Sequence, residues 1–249
     1  MDGRILTLIP IYMEELSGYE KRSLDEVREK LQNVPMEFMA PGNLNCEWYR
    51  STYPNIPIKS FDCWDKQSLQ DYNDLLMTPE LYRAFEEYEY IFIFQTDARF
   101  LGTENQLIAF ADKGFDYIGA PWGRDGMRFL KRVIPGAGHS KFLRKLEGEV
   151  IARVGNGGVS LRRVSAMICF LESHKKELSE WEKAEDLFIG YYGAKHPKSI
   201  ALADVETAYS FAMEMDMEEY IRAGKIPMAV HKWEKFFPEL DKYIVNESV

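Results

Sequence analysis

The chain has 249 residues, 46% hydrophobic and 29% charged, which excludes a disordered, collagenous or coiled-coil description and leaves room for a full core. With 31 basic against 40 acidic residues the formal charge is −9, which argues against a nucleic-acid binder that must neutralise many phosphates. Cys46, Cys63 and Cys169 have neither zinc nor disulfide-framework spacing, which favours a reducing compartment.

The opening MDGRILTLIPIY has too short an apolar run for a signal peptide, and no stretch supplies the ~20 apolar residues of a membrane span. A cytoplasmic location is expected. Arg4 to Ile11 reads as a central strand, apolar on both faces, and Leu24, Val27 and Leu31 mark a helix from Gly18 to about Gln32. Met36 to Ala40 and Ile56 to Phe61 read as strands flanking a short helix over Asn43 to Tyr53. Asp65 to Phe85 carries two helices split at Thr78-Pro79, where threonine caps and proline starts the second.

Tyr90 to Phe94 is the most apolar strand, and polar Gln95, Thr96 and Asp97 follow it directly. Thr103 to Lys113 reads as a helix and Phe115 to Ile118 as a strand. The alternation then breaks between residues 123 and 153. There Arg128, Lys131, Arg132, Lys141, Arg144, Lys145 and Arg153 outnumber Asp125, Glu147 and Glu149. This basic segment reads as an insertion or lid, partly helical around Lys141 to Ile151, facing an anionic membrane or a phosphate-bearing substrate, with a solvated loop as the equal alternative.

GNGGVSLRR then reads as a turn entering a strand, followed by helices from Val164 to about Lys175, Ala184 to Tyr192 and Asp204 to Met213. Ile226 to Ala229 reads as a last short strand before His231-Lys232-Trp233. With no linker-like boundary, the expectation is one α/β domain with a mostly parallel sheet flanked by helices.

Four places carry chemistry-bearing residues. Asp97, just past a buried strand, stands where open α/β sheets bind ligands and can hold a divalent cation, magnesium or manganese; a turn cap is the plainer reading. Arg99 beside it can pair with phosphate or with a carboxylate. Asn156, Gly157 and Gly158 allow close backbone approach to a ligand, although the spacing is neither GxGxxG nor a Walker loop. Glu185 and Asp186 begin a helix, where the dipole favours the charged form and should keep Asp186 ionised; a general base is the functional alternative. His231 can be a metal ligand or a hydrogen-bonded structural histidine, with Lys232 near phosphate and Trp233 beside a sugar.

In order along the chain, LIPIY, SLQDYNDLLMTPELY, YEYIFIFQTDARF, YIGAPW, GNGGVSLRR, EDLF and HKW form a specific combination. It resembles a bacterial family of glycosyltransferase-like proteins, termed a domain of unknown function, with a GT-A-type nucleotide-sugar fold. The resemblance implies that Pro10, Ile11 and Tyr12 cradle the nucleoside, and that Tyr72 and Asn73 contact the nucleotide. Gln95, Thr96 and Asp97 replace the usual Asp-x-Asp, so only the second acidic position is kept, with His231 as its partner on the metal and Lys232 on the donor phosphates. Trp122, Asn156, Gly157, Gly158 and Trp233 are placed on the sugar and acceptor side. Glu185 and Asp186 are the acidic pair, Asp186 the base. The implied activity is inverting transfer from a nucleoside-diphosphate sugar, expected to be a UDP-sugar, to a glycan or lipid-linked acceptor in bacterial surface polysaccharide or glycoconjugate synthesis. The alternatives are a nucleotide-sugar-binding protein without catalysis and, ranked last, a nucleotidyltransferase, which usually needs a glycine-rich basic loop where LIPIYMEELSG is acidic.

Overall fold

The computed structural model describes residues 3–122 and 154–244. β1 (Ile5–Pro10), β2 (Met36–Pro41), β3 (Ile58–Phe61) and β4 (Tyr90–Phe94) pair in parallel. β7 (Val154–Arg163) lies antiparallel between β4 and β6 (Tyr117–Pro121). The sheet order is β3-β2-β1-β4-β7-β6, the mostly parallel α/β arrangement expected from the alternating runs.

Residue alternation along the strands feeds two cores, one on each face. Ile5 and Ile9 of β1 with Tyr90, Phe92 and Phe94 of β4 face α1 (Gly18–Lys30), α2 (Glu47–Thr52) and α5 (Glu104–Asp112). Leu6, Leu8, Ile91 and Ile93 face the opposite layer, made by α3 (Leu69–Leu76), α4 (Pro79–Arg83), α6 (Val164–Ser173) and α8 (Glu185–Lys195), with α7 (Lys175–Ser179) between the last two. The start of α4 is built as the sequence indicates, and that of α1 adds a capping box. Ser17 and Glu20 close a capping box on α1, and Thr78 caps α4 with Pro79 at its first turn.

A second sheet, β5 (Ala98–Phe100), β9 (Ala229–His231) and β8 (Ala212–Met213), has the order β5-β9-β8. It packs over Met213, Met217, Ile221, Val230, Trp233, Phe237 and Leu240, drawn partly from α10 (Met217–Arg222) and α11 (Trp233–Phe236). Three local expectations change here. The helix expected to reach Met213 is α9 (Val205–Phe211), after which two residues turn into β8. The last strand is shifted from Ile226–Ala229 to Ala229–His231, and β5 was not expected at all. Strands this short are set by pairing with distant partners, which local periodicity does not record. The fourth change is in GNGG, which is extended strand within β7, not a turn.

The basic segment 123–153, with its expected lid and membrane contact, lies outside the described residues. No helix among the described residues is long and apolar enough to cross a membrane.

Candidate functional site

β1 and β4 are neighbours, while the chain leaves them toward opposite edges of the sheet; such a switch point opens a crevice at the strand carboxyl ends. A cavity of about 520 Å³ lies there. It gathers Tyr12 after β1, Gln95 and Asp97 after β4, Asn156, Gly157 and Gly158 from β7, and Glu185 and Asp186 from α8. Tyr72, Asn73, Trp122, His231 and Lys232 complete the sequence candidates on its walls.

The small sheet explains how three of the polar groups meet. β9 runs antiparallel to β5, with His231 opposite Ala98, so the end of β9 reaches Asp97 at the start of β5. β8 runs parallel to β9, with Met213 opposite Val230, so Glu214 emerges beside His231 at the same edge. The imidazole thus lies between two carboxylates: Nε2 is 3.0 Å from Asp97 Oδ1, and Nδ1 is 3.1 Å from Glu214 Oε2. Burial alone would lower the imidazole pKa, but the Asp97 and Glu214 carboxylates outweigh it and push it up to about 9. Burial opposes ionisation of Glu214, yet His231, Lys232 and Asn156 bring it down to about 2. Asp97 is lowered in the same way, against its burial, by His231 and Lys232.

The two nitrogens are not equivalent. Nδ1 is hydrogen-bonded to Glu214, whereas buried Nε2 has no hydrogen-bond partner and meets Asp97 Oδ1 at 3.0 Å as a charge contact. Once it gives up its proton, that ring nitrogen and the neighbouring carboxylate oxygen fit two adjacent ligands of a divalent cation, whose remaining positions phosphate and water can fill. Lys232 frames the same edge. Its backbone is left-handed (φ 52°), the one such non-glycine residue among those described, and its N–H donates to the Asp97 carbonyl at 3.0 Å. Its ammonium donates to Glu214 Oε1 at 3.1 Å.

Along β7 the glycines allow contact rather than a turn. A Cβ on Gly158 would lie 2.1 Å from His231 Cε1, and one on Gly157 would lie 2.3 Å from Glu185 Oε1. A Cβ on Gly155 would lie 2.9 Å from the Asp186 carbonyl. Beneath Gly157, Glu185 accepts from the fully buried Arg162 guanidinium at 2.6 Å. Arg162 also donates to Tyr82 Oη and Ser160 Oγ, at 3.0 and 2.9 Å. Glu185 therefore neutralises a buried cation while also lining the cavity. Asp186 faces the cavity too, accepting from its neighbour Leu187 N–H at 2.7 Å and, weakly, from Gly157 N–H at 3.4 Å. The helix start does not lower its pKa as expected. Burial first, and the Glu185 charge second, raise its pKa well above the ordinary carboxylate value.

Other candidates are placed elsewhere. Pro10 and Ile11 are buried at the end of β1, and of that trio only Tyr12 reaches the cavity. The Tyr12 hydroxyl is pushed up to about 12 by burial and by Asp97. Thr96 turns away and donates to Glu20 at 2.9 Å. Trp233 is buried against Arg99 and Tyr19, outside the cavity, so it is no sugar platform. Arg99 pairs with Glu26 and Asp241. Asn73 lines the cavity and also works structurally: its Oδ1 accepts from Glu185 N–H at 3.5 Å, supplying a cap that Ala184 cannot. Sequence reasoning missed Glu214, which sits in FAMEMDMEE and reads as the tail of a helix, and Trp64, which lines the cavity and packs on Tyr72.

A family model described as a protein of unknown function, DUF5672, matches residues 55–231. No curated protein matches the chain in sequence. Among solved structures, the WbbM bifunctional glycosyltransferase superposes with a TM-score of 0.56 at 12% identity, over 99% of this chain and 50% of that one. This chain thus spans half the length of that relative. Mouse xyloside xylosyltransferase 1 superposes with a TM-score of 0.52 at 11% identity, over 93% of this chain and 97% of that one. Both likenesses are of fold, and the fold is GT-A-like.

Proposed function

The chain belongs to the DUF5672 family, and from that premise we propose that it is a glycosyltransferase moving a sugar from a nucleoside-diphosphate sugar, with UDP as the carrier, to an acceptor hydroxyl. The observation that carries the reading is the meeting, in one cavity, of the Asp97–His231 edge with the Asp186 carboxyl. The GT-A-like fold of both neighbours agrees with it.

In this reading Tyr12, Tyr72 and Gln95 bind the nucleotide, and Asp97 and His231 hold manganese or magnesium. When bound, the cation supplies positive charge to the departing diphosphate. Lys232 adds a second positive charge on that side. Asp186, in its carboxylate form, takes the acceptor hydroxyl proton as the oxygen bonds to the anomeric carbon. The bond from that carbon to the diphosphate oxygen breaks, and the electron pair leaves with the nucleoside diphosphate. A single base, with no second carboxylate among the described residues assigned as nucleophile, favours one displacement with inversion. Asn156 to Gly158 and Trp122 form the acceptor side.

Incubation of the full chain with a panel of nucleoside-diphosphate sugars and Mn²⁺ tests this. Release of nucleoside diphosphate is expected for at least one donor, falling about 100-fold or more in Asp97→Asn. Metal-dependent nucleotide binding without release from any donor would leave a binding protein that lacks catalysis.

A further inference from the structure

Glu214 has no part in the reaction just described, yet it is nearly inaccessible to solvent and fully engaged. Oε2 faces His231 Nδ1 and accepts from Asn156 Nδ2, while Oε1 takes the Lys232 ammonium. It does not share an ion with Asp97. It meets the Nδ1 side of the ring, away from Nε2, and among the described residues no three His, Cys, Asp or Glu side chains are grouped to hold one metal.

We propose that Glu214 is a positioning residue: it grips His231 through Nδ1 so that Nε2 is presented beside Asp97 to a divalent cation, and it anchors Lys232 at the same edge. The proposal rests on the metal reading of Asp97 and His231. Three independent features of the fold support it. The parallel register of β8 and β9 places Glu214 beside His231 as a consequence of strand pairing. Gly158 lies against the imidazole so closely that a single Cβ would collide with it, so the ring is confined from the β7 side. The nitrogen turned away from Glu214 is the one left without a hydrogen-bond partner in a buried site. Rotating the ring by half a turn about its bond to the chain would spoil both relations. A carboxylate that orients a ligating histidine through its other nitrogen typically raises metal affinity 10- to 100-fold.

The test uses the full chain with metal alone. Mn²⁺ binding is followed by loss of the free-ion EPR signal, and Co²⁺ binding by its visible absorption, in wild type, Glu214→Gln, Glu214→Ala, Asp97→Asn and His231→Ala. Melting in EDTA establishes that each variant folds. Glu214→Gln keeps an acceptor for the Nδ1 hydrogen and is close to isosteric, so it keeps the test decisive if the alanine variant unfolds. Mn²⁺ affinity is expected to fall about 10-fold or more in Glu214→Ala, and less in Glu214→Gln, with a changed Co²⁺ spectrum in both. Wild-type affinity and spectrum in a folded Glu214→Gln and Glu214→Ala, while Asp97→Asn and His231→Ala lose the metal, overturn the positioning role alone. Absence of binding in wild type, or binding indifferent to Asp97→Asn and His231→Ala, overturns the metal reading and this assignment with it.

Discussion

Glu185 and Asp186 are consecutive, but a strand of glycines separates their surroundings. Both line the cavity, but Glu185 is paired with a buried guanidinium, whereas Asp186 accepts, among the described residues, only from backbone N–H groups. Substitution should separate their roles. Glu185→Gln leaves Arg162 without its charge partner, so it should act mainly on stability, by about 3–5 kcal/mol, measured by denaturant unfolding. Asp186→Asn should do the reverse. The folded-state pKa of Asp186 is raised, so folding binds a proton as pH rises above the unfolded value; its stability cost is absent at low pH and complete above the raised pKa. Asparagine removes that cost, so the melting temperature at neutral pH should hold or rise. Transfer should fall about 100-fold or more. The base must be deprotonated, so wild-type kcat/KM should fall with acidification through the raised pKa rather than in the ordinary carboxylate range. The pH–rate profile checks this, and a limb at ordinary carboxylate pH would remove Asp186 from the role.

At the scale of elements, β7 carries most of the site. Its glycines let His231, the Arg162–Glu185 pair and α8 close on one strand. Gly158→Ala forces the His231 ring aside and should cost about 1–3 kcal/mol. It should also weaken Mn²⁺ binding, measured by EPR; full affinity in that variant would mean that the ring is not held by β7. The sequence disclosed much of this architecture. The runs LTLIP and YIFIF, apolar on both faces, marked central strands, Thr78-Pro79 marked a helix start, and Asp97 after a buried strand, Asp186 at a helix start and His231 after a strand stood out as charged residues. What it hid has a common physical cause. β5, β8 and β9 are two or three residues long, and their pairing partners are distant in the chain, so nothing set Glu214, just past the helix expected to end at Met213, apart from its acidic neighbours. Trp233 and Thr96 adjoin site residues, but their side chains point into other layers, which spacing alone does not reveal. GNGG suggested a turn because glycine permits one, whereas here it permits contact.

Across the whole molecule, the site lies where two sheets meet. The large sheet supplies Tyr12, Gln95 and the β7 wall, and the small sheet supplies the Asp97–His231 edge. At the far side, Asp241 of α12 (Asp241–Ile244) pairs with Arg22 of α1 and with Arg99 of β5, and Trp233 lies against Arg99. The small sheet is thereby tied to α1 as well as to β4. A ligand bridging the two sheets should stabilise the native chain as a unit, by about 2.7 kcal/mol at a concentration 100 times its Kd. For a chain of this size that corresponds to a rise in Tm of roughly 5–10 °C. Thermal unfolding of the full chain with UDP, with and without Mn²⁺, in wild type and in Asp97→Asn therefore measures the central claim most directly. The expected result is a rise of that order in wild type only when nucleotide and metal are both present, lost in Asp97→Asn. A wild type unmoved by UDP and every other nucleoside diphosphate with Mn²⁺, or a shift that survives Asp97→Asn unchanged, would contradict it.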